Sequence, residues 1–223
     1  MSLKRVLEPE VMDSYEEALD YDSMDHREVN AAFVRDMLSV EQVEGRVLDL
    51  GTGTAQIPVA FCQQTEEAEV LAVDLAVNML ELAKYNIAAN GFEHRISLEL
   101  IDAKGLPFTD EMFDCVMSNS IVHHIPEPSS VLSEAVRVVR PGGLLFFRDL
   151  MRPADEETLA SLVQTYAGEE NEHQRQMFDD SLHAALTVEE VRALIEPLGF
   201  DAQTVQPTSD RHWTWIATKP LAD

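Results

Sequence analysis

The sequence predicts an α/β fold, a mostly parallel sheet covered by helices on both faces. Short apolar runs alternate with helical patterns from Arg46 onward. Those runs are nearly continuous in hydrophobicity, as strands buried on both faces require. The last two runs are joined only by a short polar turn, which predicts an antiparallel hairpin. No internal repeat or low-complexity linker interrupts the 223 residues.

The elements follow in order. Pro9 to Ser39 reads as two helices, the second carrying Val29, Ala32, Phe33, Met37 and Leu38 near helical spacing. RVLDL is a short buried strand, and AQIPVAFCQQ follows as a helix in which Pro58 is tolerable only near the first turn. EVLAVDL is a second strand, VNMLELAKYNIAANG a helix closed by Gly91, and RISLELI a third strand. MFDCVMSNS is the fourth. SSVLSEAVRVVRPGG is a helix starting at Ser129 or Ser130 and ending at Pro141–Gly142, and GLLFFRDL is the fifth strand. The segment 151–186 reads as a polar helical insertion after strand 5. Ligands bind beyond the carboxyl ends of such strands, so an insertion there overhangs a site. TVEEVRALIEPLGF opens with a capping box, Thr187 to Glu190, and FDAQTVQPT and RHWTWIATK form the closing strands. The chain reads as a single domain made of an N-terminal helical lid (1–44), a cofactor-binding core (45–150), the substrate-side insertion (151–186) and a final helix with hairpin (187–223).

Composition narrows the function. Acids number 41 against 16 Lys and Arg, for a formal charge of -25. A nucleic-acid phosphate binder needs a positive face, and so does docking on anionic lipid. Between Glu8 and Glu44 lie 12 acids against Arg27 and Arg35, and a second cluster holds Glu169, Glu170, Glu172, Asp179 and Asp180. Such runs are usually solvated faces. Cys62 and Cys115 sit in apolar contexts and read as buried free thiols. No apolar run is long enough to span a membrane, and MSLKRVLEPEV lacks a signal-peptide core, so a cytoplasmic location is expected.

The turn after the first strand, VLDLGTGTAQIPVAF, has the look of a nucleotide site. The dinucleotide fingerprint needs a third glycine three residues after the second, and Gln56 stands there instead. Asp49, two residues before Gly51, would repel a pyrophosphate and attract a cationic cofactor. Both points disfavour a nicotinamide oxidoreductase. Asp74 ends the second strand, where a carboxylate can accept both ribose hydroxyls. Asp102 ends the third, placed to accept from an adenine amino group.

With these residues the chain resembles the class I S-adenosylmethionine-dependent methyltransferases. The carrying residues are Val47–Gly53, Val73-Asp74-Leu75 with Met79-Leu80, Asp102-Ala103 with Leu106-Pro107-Phe108, Phe113–Val116, His123-His124-Ile125 and Arg140–Gly143. They cover Val43 to Leu150 well and the closing strands loosely. The resemblance implies a Rossmann-like three-layer sandwich, with a seven-stranded sheet whose last strand is antiparallel. S-adenosylmethionine would be the cofactor and S-adenosylhomocysteine the product. The backbone of Gly51, Thr52 and Gly53 would hold the methionine part, with Asn119 facing its amino group. Asp74 would take the ribose, Asp102 with Ala103 the adenine, and Leu75 and Met79 would pack on the rings. Ser120 and His124 would border the same pocket. N-terminal helices close the pocket in relatives, which would bring Tyr21 to the methionine end; Tyr15 lies in the same acidic segment. Two departures stand out: Ala55 replaces a third glycine common in the family's turn, and Ala76 replaces a serine that often caps the following helix.

Methyl transfer from a sulfonium expels a neutral leaving group, so no acid is needed and no catalytic dyad is required. His123, His124, Arg148 and His183 are nonetheless the candidate catalytic groups: the first two follow the fourth strand, Arg148 ends the fifth beside Asp149, and His183 sits in the insertion. Paired histidines signal a metal only when further ligands join them, and the sequence shows none nearby, so no metal is expected. A small molecule is the expected acceptor, its atom open among oxygen, nitrogen, carbon, sulfur and arsenic. A non-catalytic cofactor-binding partner subunit is the alternative, and the oligomeric state stays open, a homodimer included.

Overall fold

A computed structural model describes residues 3–8, 14–24 and 27–221. Two N-terminal helices, α1 (Tyr15–Ser23) and α2 (Arg27–Val40), precede the sheet. The start expected at Pro9 falls on residues outside the described ones. Strands and helices then alternate: β1 (Arg46–Leu50), α3 (Gln56–Cys62), β2 (Glu69–Asp74), α4 (Val77–Asn90), β3 (Ile96–Leu100), β4 (Phe113–Asn119), α5 (Ser129–Val138) and β5 (Val139–Leu150). Two insertion helices follow, α6 (Glu156–Ala167) and α7 (Glu172–Ala184), then α8 (Val188–Ile195), β6 (Val205–Pro207) and β7 (His212–Thr218).

The sheet runs β3-β2-β1-β4-β5-β7-β6. β1 to β5 are parallel, and β7 is antiparallel to both β5 and β6. This is the seven-stranded sandwich the sequence predicts. Its middle layer separates two apolar cores. On one face Phe33, Val34 and Met37 of α2, Phe61 of α3 and Ile87 of α4 pack against Val47, Val70, Cys115 and Phe146. On the other, Leu132 and Ala135 of α5 and Val191 and Ile195 of α8 pack against Leu48, Val116, Phe147 and Trp215. α2 is therefore part of the core layer and not of a lid. Cys62 and Cys115 are buried and free, as expected.

One boundary differs from expectation. The helix read through Pro141–Gly142 stops at Val138, and β5 takes in the RPGG segment. Gly142 adopts φ +74°, which glycine tolerates at no steric cost, so the Pro–Gly pair bends a strand instead of ending a helix. Gly142 N donates to Lys219 O (2.8 Å), and Lys219 N returns a bond to Gly143 O (2.9 Å), so the bend stays paired.

The caps behave as read. Thr187 Oγ1 accepts from Glu190 N, and Glu190 Oε2 accepts from Thr187 N, closing the predicted capping box. Gly91 ends α4 in the left-handed conformation. Asp155 caps α6 by accepting from Thr158 N, and Asn171 caps α7 in a second capping box with Gln174. Leu159, Leu162 and Leu182 bury their shared face with Leu150.

Candidate cofactor pocket

The strand order reverses between β1 and β4, which opens a crevice beyond their carboxyl ends. A pocket lies there, lined by Tyr21, Gly51, Gly53, Asp74, Leu75, Ala76, Met79, Ile101, Asp102, Ala103, Lys104, Asn119, Ser120, Ile121, His124 and Ile125. A smaller recess, lined by Asp49 and Thr52, shares Tyr21, Gly51 and Asn119 with it. Every residue predicted to bind the cofactor borders one of the two.

The glycine turn is built tightly. Gly51 N and Thr52 N both donate to Val73 O, and Gly51 and Gly53 sit at φ +69° and +54°. Ala55 adopts φ 60° as well, so the position where the family has glycine keeps the glycine conformation with a buried methyl. An L-residue pays on the order of 1–2 kcal/mol there. Asp74 caps the arrangement: its Oδ2 accepts from Gly53 N (2.7 Å) and its Oδ1 from Ala76 N (2.8 Å). Asp74 thereby ties the turn to the start of α4, a task left open by the absence of a serine at Ala76.

Gln56, the residue that breaks the dinucleotide pattern, has a structural use. It accepts from Asn30 Nδ2 (3.1 Å) and donates to Asp22 (3.1 Å). Asp22 also accepts from Asn86 Nδ2, which in turn reaches Thr54 O. This network holds α1 against α3 and α4, and so holds Tyr21 over Gly53.

The pocket is electrostatically negative and incompletely satisfied. Burial pushes the Asp49 carboxyl up to about 7, with the charge of Asp74 adding and Thr52 working against it. Burial also raises Asp74, opposed by its backbone donors. Burial raises the Tyr21 phenol to about 12, with Asp74 and Asp49 adding. Asp102 behaves differently: the Lys104 backbone N–H and ammonium outweigh its partial burial and hold its pKa down. Asn119 Oδ1 is buried at this crevice without a hydrogen-bond partner. Buried polar atoms are seldom left so, and one bordering a cavity marks it as a ligand site.

The candidate catalytic groups separate in space. His123 and His124 lie on a short 3-10 turn after β4, and Asp149 receives the first of them: His123 Nδ1 is 2.5 Å from Asp149 Oδ1. Arg148 does not join them. Successive strand residues point to opposite faces, so Arg148 lies over Phe33 and Phe146 and pairs with Asp36 at 2.8 Å and Thr214 at 3.0 Å. It is a buried structural cation, not a group at the substrate mouth, and it forms no salt bridge with Asp149. His183 also stays away from the pocket: its Nδ1 lies 3.1 Å from Asp179 Oδ1 on its own helix, and its carbonyl takes Val6 N. Tyr15 is exposed.

The segment 3–8 supplies a residue the sequence hid. Arg5 donates to the carbonyls of His123, Ile125 and Ala184, fastening this segment over the 3-10 turn and the insertion. Glu8 then lies 3.0 Å from His124 Nδ1 and 3.4 Å from His123 Nε2. A carboxylate distant in sequence thus joins the histidine pair, which showed no such neighbour nearby in the chain. Burial pushes Glu8 upward, but His124 and His123 outweigh it and lower its pKa. His124 is lowered, by burial first and by His123 next, whereas Asp149 and Glu8 overcome burial at His123 and raise it.

A doubly wound sheet with acids at or past three strand ends and a cavity at its switch point has the layout of a nucleotide-cofactor site. Residues 48–147 match the methyltransferase domain family. The chain is 37% identical over 122 residues to the ubiquinone/menaquinone biosynthesis C-methyltransferase of Desulfotalea psychrophila, covering 55% of this chain and 48% of that one. It is 30% identical over 173 residues to the arsenite methyltransferase of Halobacterium salinarum, covering 74% and 39%. The chain spans less than half the length of these curated relatives. The crystal structure of a methyltransferase from Aquifex aeolicus superposes with a TM-score of 0.67 at 16% identity, covering 92% of this chain and 97% of that one. Residues 48–147 carry the matched methyltransferase domain, and the fold is that of the class I S-adenosylmethionine-dependent methyltransferases.

S-adenosylmethionine is that family's cofactor, and the chemistry of this pocket suits it: Asp74, Asp102 and the adjoining Asp49 offer carboxylates for a cation and for hydroxyls, and Asn119 Oδ1 offers an unused acceptor. Among the described residues no helix is long and apolar enough to cross a membrane.

Proposed function

We propose that this chain transfers a methyl group from S-adenosylmethionine to a small molecule. One observation carries the reading: Asp74, the glycine turn, Asn119 and His124 surround a single cavity, with Asp49 in the adjoining recess. In this reading Gly51, Thr52, Gly53 and Asn119 hold the methionine end under Tyr21. Asp74 holds the ribose, Asp102 and Ala103 the adenine edge, and Leu75, Met79 and Ile101 its faces. The transfer is an in-line displacement. The sulfonium leaves as a neutral thioether, so the protein's task is to align acceptor and methyl, worth on the order of 7 kcal/mol or more. In this reading the acceptor approaches from the side of the insertion helices α6 and α7. The excess of acids disfavours nucleic acid as acceptor.

Calorimetry tests the cofactor assignment. S-adenosylhomocysteine is expected to bind and NAD not to; the reverse would sink the reading. Asp49 adds a pH signature. Its carboxyl titrates near 7 in the free protein, and a bound cation favours the charged form. Affinity therefore rises from pH 6 to pH 8, and at pH 7 binding releases up to about half a proton, seen as a heat that varies with the buffer. Asp49→Asn removes both effects. The same substitution stabilises the ligand-free protein at high pH. A carboxyl raised on folding has its full stability below its unfolded value and loses it as pH rises through about 7. With one pKa unit worth about 1.4 kcal/mol, the loss by pH 8 is on the order of 4 kcal/mol. A melting temperature of Asp49→Asn that is unchanged at pH 8 would contradict this account of Asp49.

A further inference from the structure

The geometry points to a divalent transition-metal site formed by Glu8, His123 and His124. Their ligand atoms, one carboxylate oxygen and two ring nitrogens, all lie within 4.8 Å of one another. Glu8 Oε1 is 3.4 Å from His123 Nε2 and 3.0 Å from His124 Nδ1. Two ligands of a tetrahedral ion at bond lengths near 2.1 Å stand roughly 3.4 Å apart, so the group needs little movement to close on a cation.

Four further observations favour an ion over a bare hydrogen-bonded cluster. First, His124 Nδ1 is buried and faces Glu8 Oε1 at 3.0 Å, so a cation between the two would bind both. Second, His123 presents Nε2 to Glu8 because Nδ1 is taken by Asp149 at 2.5 Å. A carboxylate behind a histidine is the usual outer support of a metal ligand, fixing its tautomer and ring direction. Asp149 is itself fixed, accepting from Val122 N (2.6 Å) and Leu150 N (2.6 Å). Third, Glu8 has a support of its own in Ser181 Oγ, at 3.2 Å. Fourth, Arg5 spends its donors on the carbonyls of His123, Ile125 and Ala184, so it fastens the segment bearing Glu8 without pairing with Glu8.

Two imidazoles and one carboxylate suit zinc and its first-row neighbours, and they suit magnesium and calcium poorly. Three protein ligands leave a coordination position open. His124 also lines the cofactor pocket, so the ion would sit at its border, where it could hold an oxygen or sulfur of the acceptor. That role rests on the methyl-transfer reading; the site itself does not.

The test is zinc binding to the full chain, stripped with chelator, then titrated by calorimetry and counted by elemental analysis after gel filtration. The expected result is one equivalent of Zn2+ bound, with no comparable heat from Mg2+. Glu8→Gln and His124→Gln are expected to weaken zinc at least about 100-fold, and Asp149→Asn about 10- to 100-fold. His183→Gln, a histidine outside the triad, should leave it unchanged. Circular dichroism and retained S-adenosylhomocysteine binding by Glu8→Gln show that the variant is folded, and they separate failure of this site from failure of the cofactor assignment. Folded wild-type protein holding under about 0.1 equivalent, or equal zinc affinity in Glu8→Gln, overturns the proposal. The first outcome makes the triad a hydrogen-bonded cluster, and the second assigns the zinc to the acidic surface.

Discussion

Gly51→Ala is expected to destabilise the protein by about 2–5 kcal/mol and to abolish S-adenosylhomocysteine binding. Two costs add. At φ +69° an L-residue loses about 1–2 kcal/mol. The new Cβ would also stand 2.6 Å from Ile121 Cδ1 and 2.8 Å from Ile121 Cβ. The second of these atoms is anchored to the backbone of the turn after β4 and cannot swing aside, so overpacking adds roughly 1–3 kcal/mol. Relief would come only by moving the turn whose Gly51 and Thr52 N–H groups bond Val73 O, and that turn forms the pocket wall. Gly91→Ala is the control. Its φ is +74°, but nothing lies within 4 Å of the added methyl, so only the backbone cost of about 1 kcal/mol remains. Urea midpoints measure both. A Gly51→Ala protein as stable as Gly91→Ala would mean that the turn is looser than described.

Asp74→Ala is expected to weaken S-adenosylhomocysteine by about 1.5–3 kcal/mol, a factor of roughly 10 to 150, the usual worth of charge-assisted hydrogen bonds. Stability should change less than affinity. The substitution orphans Gly53 N and Ala76 N, but it also removes a carboxylate whose charged form burial disfavours. These terms oppose one another in the free protein, whereas in the complex the loss is uncompensated. Isothermal calorimetry alongside a thermal melt separates the two. An unchanged affinity would place the ribose elsewhere.

The sheet was legible in the sequence because its strands are apolar on both faces: RVLDL and EVLAVD occupy the expected positions as β1 and β2. The acids that border the pocket were legible because each stands at or just past a strand end. The start of β5 was not. Pro141–Gly142 is a helix breaker read locally, and only pairing with Phe113 and the C-terminal strand turns it into a bent strand. Arg148 could have been placed from alternation alone, since Asp149 beside it must face the other way. Glu8 could not: its partners lie far along the chain, and the acidic run around it hides the one carboxylate that meets the histidine pair. Gln56 likewise told only what the turn was not. Its use, bridging Asn30 and Asp22, depends on helices that precede the turn in the chain.

The central claim is transfer, and labelled methyl tests it most directly. The protein is incubated with S-adenosylmethionine carrying a labelled methyl and a small-molecule metabolite extract, and the fractions are counted. The account predicts label in a small-molecule product with the wild type, and at least about tenfold less with Asp74→Ala at the same subsaturating cofactor concentration. Tight S-adenosylhomocysteine binding with no label in any fraction would contradict it and make the chain a cofactor-binding partner without catalysis.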